Sequence, residues 1–153
     1  MAAFSSTIYT AQNTALTQNY EAPSAVDFVG TVRVARVAIT TTAGMADADT
    51  FNLVYLPAGA VVVPSMSKVQ CSADPGTTLV LDIGTSSETD AFADGIVLSS
   101  GGAIAFDANV CAQAHAPAAL TAPTLVYATI PSSGAASVTA DVTLRFWIAY
   151  TLP

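Results

Sequence analysis

The segment SVTADVTLRFWIAYTLP, residues 137–153, alternates regularly between two kinds of side chain. Its apolar set occupies every second position, at Val138, Ala140, Val142, Leu144, Phe146, Ile148 and Tyr150. A period of two places alternate side chains on opposite faces of a β-strand, whereas a helix would mix the two sets. The segment therefore predicts a long strand with one buried face, as found in a β-sandwich or barrel.

Shorter strand candidates fill much of the chain between residue 31 and this segment. They are residues 50–56, 60–63, 66–71, 78–83, 95–98, 103–106 and 124–130. Turn-forming proline, glycine, serine and aspartate residues separate them at 57–59, 74–76, 99–102 and 131–134. Only 87–95 and 111–120 have room for a helical turn. This succession of short strands and turns predicts an all-β fold, a jelly-roll-like antiparallel β-sandwich over residues 31–153.

The first strand candidate, TVRVARVAIT at residues 31–40, changes phase in its middle. Val32 and Val34 share one parity, while Val37 and Ile39 share the other. A β-bulge or a bend at a sheet corner would reconcile the two halves, and we expect one of them here.

The uncharged segment FNLVYLPAGAVVVPSM, residues 51–66, predicts two strands joined by a Pro-Ala-Gly turn. Strand pairing should stop at Pro57 and at Pro64, because proline has no amide hydrogen to donate. We expect the core or interface side chains of this segment to be Leu53, Tyr55, Val61 and Val63.

Residues 1–30 show neither a helical nor a strand period, and they form a separate N-terminal region. Small polar residues dominate it, with isolated aromatics at Tyr9, Tyr20 and Phe28. One interpretation is a loosely held terminus. The other is an extended arm whose aromatic side chains dock on a neighbouring subunit.

The charge content excludes some classes of partner. Charged residues make up 10% of the 153 residues, against about 25% in an ordinary soluble domain. Such a chain either lies against other chains or has a surface of small neutral residues. The net charge is −7, and the basic residues are Arg33, Arg36, Lys68 and Arg145. Four scattered cations predict neither nucleic-acid binding nor attachment to an anionic membrane.

Few residues suggest chemistry. His115 lies among alanines and prolines that supply neither an orienting carboxylate nor a nucleophile, so a surface-loop or interface role is favoured. Glu88, Asp90 and Asp94 form an acidic cluster without the spacing of a calcium-binding loop, and turn capping or solvation is favoured over a cation site. The sequence thus predicts no catalytic, cofactor-binding or metal-binding residues and no enzyme activity.

Two cysteines and a tryptophan leave alternatives open. Without an evident secretion signal, Cys71 and Cys111 are expected to be free buried thiols rather than a disulfide. Trp147 falls on the polar face of the last strand, beside Arg145 and Thr143. It either contacts a sugar or protein partner, or belongs to the core if that sheet face is covered.

The central sequence pattern resembles a known family. Asp49-Thr50 precedes a short strand, a Pro-Ala-Gly-Ala turn at 57–60 and a run of valines at 61–63. The strand TLVLDIG at 78–84 then leads to Asp-Ala-Phe at 90–92, and a Val-Thr-x-x-Val strand follows at 138–150. This order is similar to that of head decoration, or cement, proteins of tailed bacteriophages, which have a jelly-roll fold.

The resemblance implies a structural virion protein, made in the host cytoplasm and bound to the outer capsid surface. It would bridge neighbouring capsid subunits through the major capsid protein, as a homotrimer or alternatively a dimer. It requires no cofactor, nucleic acid or membrane. The candidate contacts are Tyr9, Tyr20, Phe28 and Trp147. The alternative is a receptor- or glycan-binding module of a phage fibre or tail, since related jelly rolls also serve there.

Overall fold

The regular structure of the chain consists of antiparallel strands. A computed structural model describes residues 31–76, 79–98, 102–108, 111, 118–131 and 138–152. Its strands are β1 (Val32–Thr40), β2 (Thr50–Leu56), β3 (Val61–Val62), β4 (Lys68–Cys71), β5 (Leu79–Gly84), β6 (Ala93–Leu98), β7 (Ala103–Ala105), β8 (Thr124–Thr129) and β9 (Thr143–Thr151). Short 3-10 helices occur at Pro64–Met66 and Phe106–Ala108. Within these ranges no helix is long and apolar enough to cross a membrane.

The strands form two sheets that pack face to face. Sheet A has the order β1-β9-β4-β7, and β3 also pairs with β9. Sheet B has the order β2-β8-β5-β6. The chain crosses between the sheets after β1, β2, β4, β6, β7 and β8, which is the winding of a jelly roll. The predicted all-β, jelly-roll-like sandwich is confirmed, whereas the predicted arm over residues 1–30 lies outside the described residues.

The buried face of β9 lies at the centre of sheet A. Leu144, Phe146, Ile148 and Tyr150 are buried, as the alternation of the last segment predicts. They belong to one apolar core with side chains of sheet B such as Leu81. Each such side chain contributes roughly 1.5–3 kcal/mol when it is fully removed from water. The alternating apolar positions of this strand therefore hold the two sheets together.

The last strand begins later than predicted. β9 starts at Thr143 rather than at residue 138, because Asp141 has a φ of 63° and interrupts the extended backbone. Thr41 stabilises this interruption from the end of β1. Its buried hydroxyl donates to the Thr139 carbonyl and accepts a hydrogen bond of 3.1 Å from the Val142 amide.

The phase change in residues 31–40 does not produce a bulge. β1 pairs with β9 in unbroken register from Val32 to Thr40, so the expected bulge or bend is wrong. Ala35 takes an inward position together with Val37 and Ile39. Val32 has the outward parity and is 36% exposed. The strand stays regular because the small Ala35 fits the inward position between the two halves.

A bulge lies in β2 instead. The register between β2 and β8 shifts between Asn52 and Val54, and both Leu53 and Val54 are buried. Two consecutive inward side chains reverse the parity of the following residue. Tyr55 is consequently 47% exposed, so of its two predicted roles only the interface one remains, whereas Leu53 lies in the core.

The connection between β3 and β4 runs alongside β9 and is joined to it by a serine. The Ser67 hydroxyl donates to the Val63 carbonyl at 2.9 Å and accepts from the Ala149 amide at 2.9 Å. The Val63 amide in turn donates to the Ala149 carbonyl at 2.9 Å. The 3-10 helix thus leaves no gap in the hydrogen bonding of β9 at Ala149.

Both cysteines are free and buried, as predicted. Cys71 ends β4 and belongs to the apolar core. The Cys111 thiol donates to the Phe92 carbonyl oxygen at 3.1 Å. The two thiols therefore pack as small apolar side chains on separate parts of the fold.

Candidate interaction surface

The face of sheet A that points away from sheet B is built from alternate residues of its strands. Its central row follows from the register: Arg36 of β1 lies opposite Trp147 of β9, and Trp147 lies opposite Lys68 of β4. Arg36 and Lys68 are exposed, and Trp147 is half-buried. The one tryptophan of the chain is therefore flanked by two cations from the neighbouring strands.

The adjacent row adds a third cation. Ala38 lies opposite Arg145, and Arg145 lies opposite Gln70. Arg145 is exposed, whereas Gln70 is half-buried. Among the described residues, neither Arg145 nor Arg36 forms an ion pair with a carboxylate. We call these two rows, together with the apolar row described next, the sheet A outer face.

In the opposite direction along β9 the sheet A outer face becomes apolar. Val32 lies opposite Thr151, which in turn lies opposite Val61 of β3. Val34 lies opposite Ala149 in the row between them and Trp147. Tryptophan and arginine are enriched at protein interfaces, where apolar contact supplies affinity and charge supplies orientation, so this face has features of a protein-binding surface.

Lys68 and Trp147 contact each other on the sheet A outer face. The Lys68 ammonium nitrogen lies 5.0 Å from the centroid of the Trp147 ring. A cation within about 6 Å of an aromatic face is attracted by the ring quadrupole. The contact holds the indole against the sheet and leaves the ammonium group in solvent.

The prediction that the basic residues are scattered is wrong for three of the four. Arg36, Lys68 and Arg145 come from three different strands, and the sheet pairing brings them to one face. The outward parity of Arg145 and Trp147 was visible in the sequence, but the pairing of β4 with β9 was not. Arg33 differs because it has the parity of the inward residues at the end of β1.

The acidic cluster lies on the other sheet, in the turn between β5 and β6. Residues 85–92 form tight turns and contain no helical turn, with reciprocal backbone hydrogen bonds between Thr85 and Glu88 of 2.8 and 3.2 Å. Glu88, Asp90 and Asp94 are exposed. Among the described residues no three histidine, cysteine or acidic side chains converge to hold a metal ion.

Asp82 of β5 has a pKa that its burial and this acidic cluster change. Partial burial raises its pKa, and the negative charges of Asp94 and Asp90 raise it further. The Gly95 amide donates to its carboxylate at 2.8 Å and opposes that change. The raised pKa is consistent with a local excess of carboxylates around β5 and β6.

The remaining predicted contact residues are not brought together with Trp147 by any described element. Tyr9, Tyr20, Phe28 and His115 lie outside the described residues. Trp147 takes an intermediate position between the two predicted alternatives, since it lies on the outer face of the sheet yet is half covered by its neighbours.

Comparison with known proteins gives similarity at the level of structure. No protein-family model matches the sequence, and no curated protein matches it. A chain in the capsid of Ralstonia phage GP4 is similar with a TM-score of 0.60 and 21% identity, over 81% of this chain and 86% of that one. A chain in the cyanophage Pam1 capsid asymmetric unit is similar with a TM-score of 0.56 and 21% identity, over 80% and 85%. The chain therefore shares its fold with chains of two phage capsid structures.

Proposed function

We propose that this protein is a structural component of a phage virion, a decoration protein on the outer capsid surface. It stabilises the head by bridging neighbouring capsid subunits. The observation that carries the proposal is the fold similarity to a chain of the Ralstonia phage GP4 capsid, over 86% of that chain. The exposed Arg36, Lys68 and Arg145 of the sheet A outer face support it, because a bridging protein needs a broad contact surface rather than a catalytic cleft.

The major capsid protein is the proposed partner, and a homotrimer is favoured over a dimer. A trimer suits the three-fold and quasi-three-fold positions of an icosahedral shell. Each further protomer attached to the same assembly raises the avidity without new chemistry, because its binding becomes intramolecular. A stiff sandwich with a closed core transmits such contacts without deforming.

Addition of the purified protein to undecorated heads of the phage that encodes it tests this proposal. We expect saturable binding, visible as added density in electron cryomicroscopy, and heads that withstand higher temperature before releasing DNA. Heads that bind none of the protein and gain no resistance would refute the proposed function. Bovine serum albumin at the same concentration controls for nonspecific stabilisation.

The N-terminal region is proposed to be an attachment arm. Deletion of residues 1–28 removes Tyr9, Tyr20 and Phe28 and leaves the sandwich that begins at β1. We expect the truncated chain to fold and to retain its oligomeric state, but to bind heads more weakly than the full chain. A truncated chain that no longer unfolds cooperatively would instead assign these residues to the core.

A receptor- or glycan-binding module of a fibre or tail is the second candidate, because the half-buried Trp147 lies on the outer face of sheet A beside Gln70 and Arg145. Aromatic faces with polar neighbours also bind sugars. A glycan array and a cell-adsorption assay distinguish the two functions. Binding that Trp147→Ala abolishes would favour the module, and the absence of any signal in either assay would remove it.

A further inference from the structure

Charge is divided between the two sheets by sign. Within the described strands, every charged residue of sheet A is basic: Arg33, Arg36, Lys68 and Arg145. Every charged residue in the strands of sheet B is acidic, namely Asp82 and Asp94. The turn between β5 and β6 adds the exposed carboxylates of Glu88 and Asp90. The strands of sheet A are thus basic and those of sheet B acidic, while the exposed Asp74, Asp107 and Asp141 lie in the segments next to β4, β7 and β9.

We infer that the sheet A outer face is an interface between copies of this chain, occupied by the acidic β5–β6 turn of a neighbouring copy. In this contact Arg36 and Arg145 of one protomer face Glu88 and Asp90 of the next. The inference rests on the self-association included in the proposed function, and it does not depend on capsid binding. It names which two surfaces meet.

Electrostatics selects this pairing over the symmetric ones. With a net charge of −7, two copies repel each other in most orientations. A two-fold contact between two sheet A outer faces would oppose cation to cation, and one between two β5–β6 turns would oppose carboxylate to carboxylate. The contact between the sheet A outer face and a β5–β6 turn places opposite charges together. A contact that each pair of copies makes only once is heterologous, and it generates a ring such as a trimer when its rotation closes.

The position of the acidic turn is compatible with ring closure. β6 is the last strand in the order of sheet B, and the turn joins the ends of β5 and β6, so the turn lies at the edge of the sandwich where these two strands end. Contact surfaces on opposite faces would stack successive copies in a straight line. A contact between a face and an edge instead rotates each copy relative to the one before it. A heterologous contact with a suitable angle closes on itself.

The apolar part of the sheet A outer face supplies affinity that the charges alone do not. Exposed ion pairs contribute little, because solvent and salt screen them. Val32, Val34 and Val61 lie on the same face as Trp147, so a partner that covers the cations also covers apolar surface. Charge then determines the orientation and the association rate, while apolar contact slows dissociation.

Charge exchange tests the inference directly. Variant one carries Arg36→Glu and Arg145→Glu, and variant two carries Glu88→Lys and Asp90→Lys. A combined variant carries all four substitutions and has the wild-type net charge. The mass of each protein is measured by sedimentation equilibrium at low and high salt. Circular dichroism and thermal melting verify that each variant is folded.

We expect the wild-type chain to be an oligomer that dissociates more readily at high salt. Variants one and two should each dissociate at least about tenfold more readily, because each opposes like charges. The combined variant should recover the wild-type association, and a mixture of variants one and two should associate although neither does alone.

Several results would overturn the inference. These are a wild-type chain that stays monomeric at millimolar concentration, single variants that associate like the wild type, and a folded combined variant that does not recover association. If variant one stays oligomeric but no longer binds heads, the sheet A outer face is assigned to the capsid protein instead. Intact self-association with no head binding would refute the proposed function alone.

Discussion

The Lys68 ammonium group lies 5.0 Å from the centroid of the Trp147 ring, directly across the pairing of β4 with β9. The two residues are 79 positions apart by their numbers and meet only because both strands join sheet A. The contact places the one tryptophan of the chain at the centre of a basic surface. That position makes its fluorescence a direct probe of the surface.

Lys68→Met should remove the cation–π contact and keep the aliphatic cover of the indole. We expect the free energy of unfolding to fall by about 0.5–1 kcal/mol, as for other exposed cation–π pairs. The tryptophan emission maximum of the folded protein should shift as well, because the charge beside the ring is lost. Lys68→Arg is the matched control, since it keeps the charge, and it should leave both the stability and the emission close to wild type.

Gly84→Ala should destabilise the fold through a backbone clash at the β5–β6 turn. A methyl group at Gly84 would lie 2.6 Å from the Thr89 carbonyl oxygen and would overlap the Glu88 carbonyl. The obstacle is backbone, so we expect a loss of about 1–3 kcal/mol or more in the free energy of unfolding. Chemical denaturation measures it. Gly102→Ala is the control, because nothing lies within 4 Å of its added methyl group, and a comparable loss there would contradict the explanation.

Ser67→Ala should leave the buried Ala149 amide without its acceptor. The Ser67 hydroxyl accepts from that amide at 2.9 Å, and no solvent reaches the site to replace it. An unsatisfied buried donor costs about 1–3 kcal/mol, and we expect the melting temperature to fall accordingly. Faster amide exchange at Ala149 would locate the effect. The exposed Ser65→Ala variant should melt like the wild type, and equal losses in the two variants would refute a specific role for Ser67.

Asp82→Asn should change how stability depends on pH. Burial and the charges of Asp94 and Asp90 raise the folded-state pKa of Asp82 above its ordinary value of 3.8. The folded state therefore holds this proton more tightly than the unfolded state, so the Asp82 contribution to stability decreases as pH rises from 3.8 through the raised pKa. The asparagine oxygen can still accept from the Gly95 amide. We expect the variant to melt a few degrees above the wild type at pH 7 and to lose this advantage near pH 3. An advantage that is constant over this range would contradict the linkage.

Local periodicity in the sequence was sufficient to predict most of the strands. The segment that became β9 alternates apolar and polar residues, and its buried residues Leu144, Phe146 and Ile148 are those of the predicted face. This prediction does not depend on the identity of the partner strand, because a strand with one buried face shows such alternation in any sandwich. The free, buried state of Cys71 and Cys111 was also predictable from their number and context.

Deviations from regular alternation could not be placed from the sequence. The bulge was expected in residues 31–40, where the parity of the valines changes, but it lies at Leu53 and Val54. Ala35 is small enough to be buried in an unbroken β1, whereas two large side chains at Leu53 and Val54 both need the core and the backbone must bulge to bury them. Which of these solutions a strand adopts depends on the space that the opposite sheet leaves.

Composition and alternation along the chain are enough to predict an all-β sandwich with few charges and to put Trp147 on the polar face of the last strand. The pairing of the strands, which the sequence does not reveal, places Arg36, Lys68 and Arg145 around that tryptophan. It places Asp82, Glu88, Asp90 and Asp94 with the other sheet. Alternation assigns each residue to a face of its own strand, and it does so from neighbours along the chain. Strand order assigns the neighbours across the sheet, and it depends on contacts between residues far apart in the sequence, such as Lys68 and Trp147.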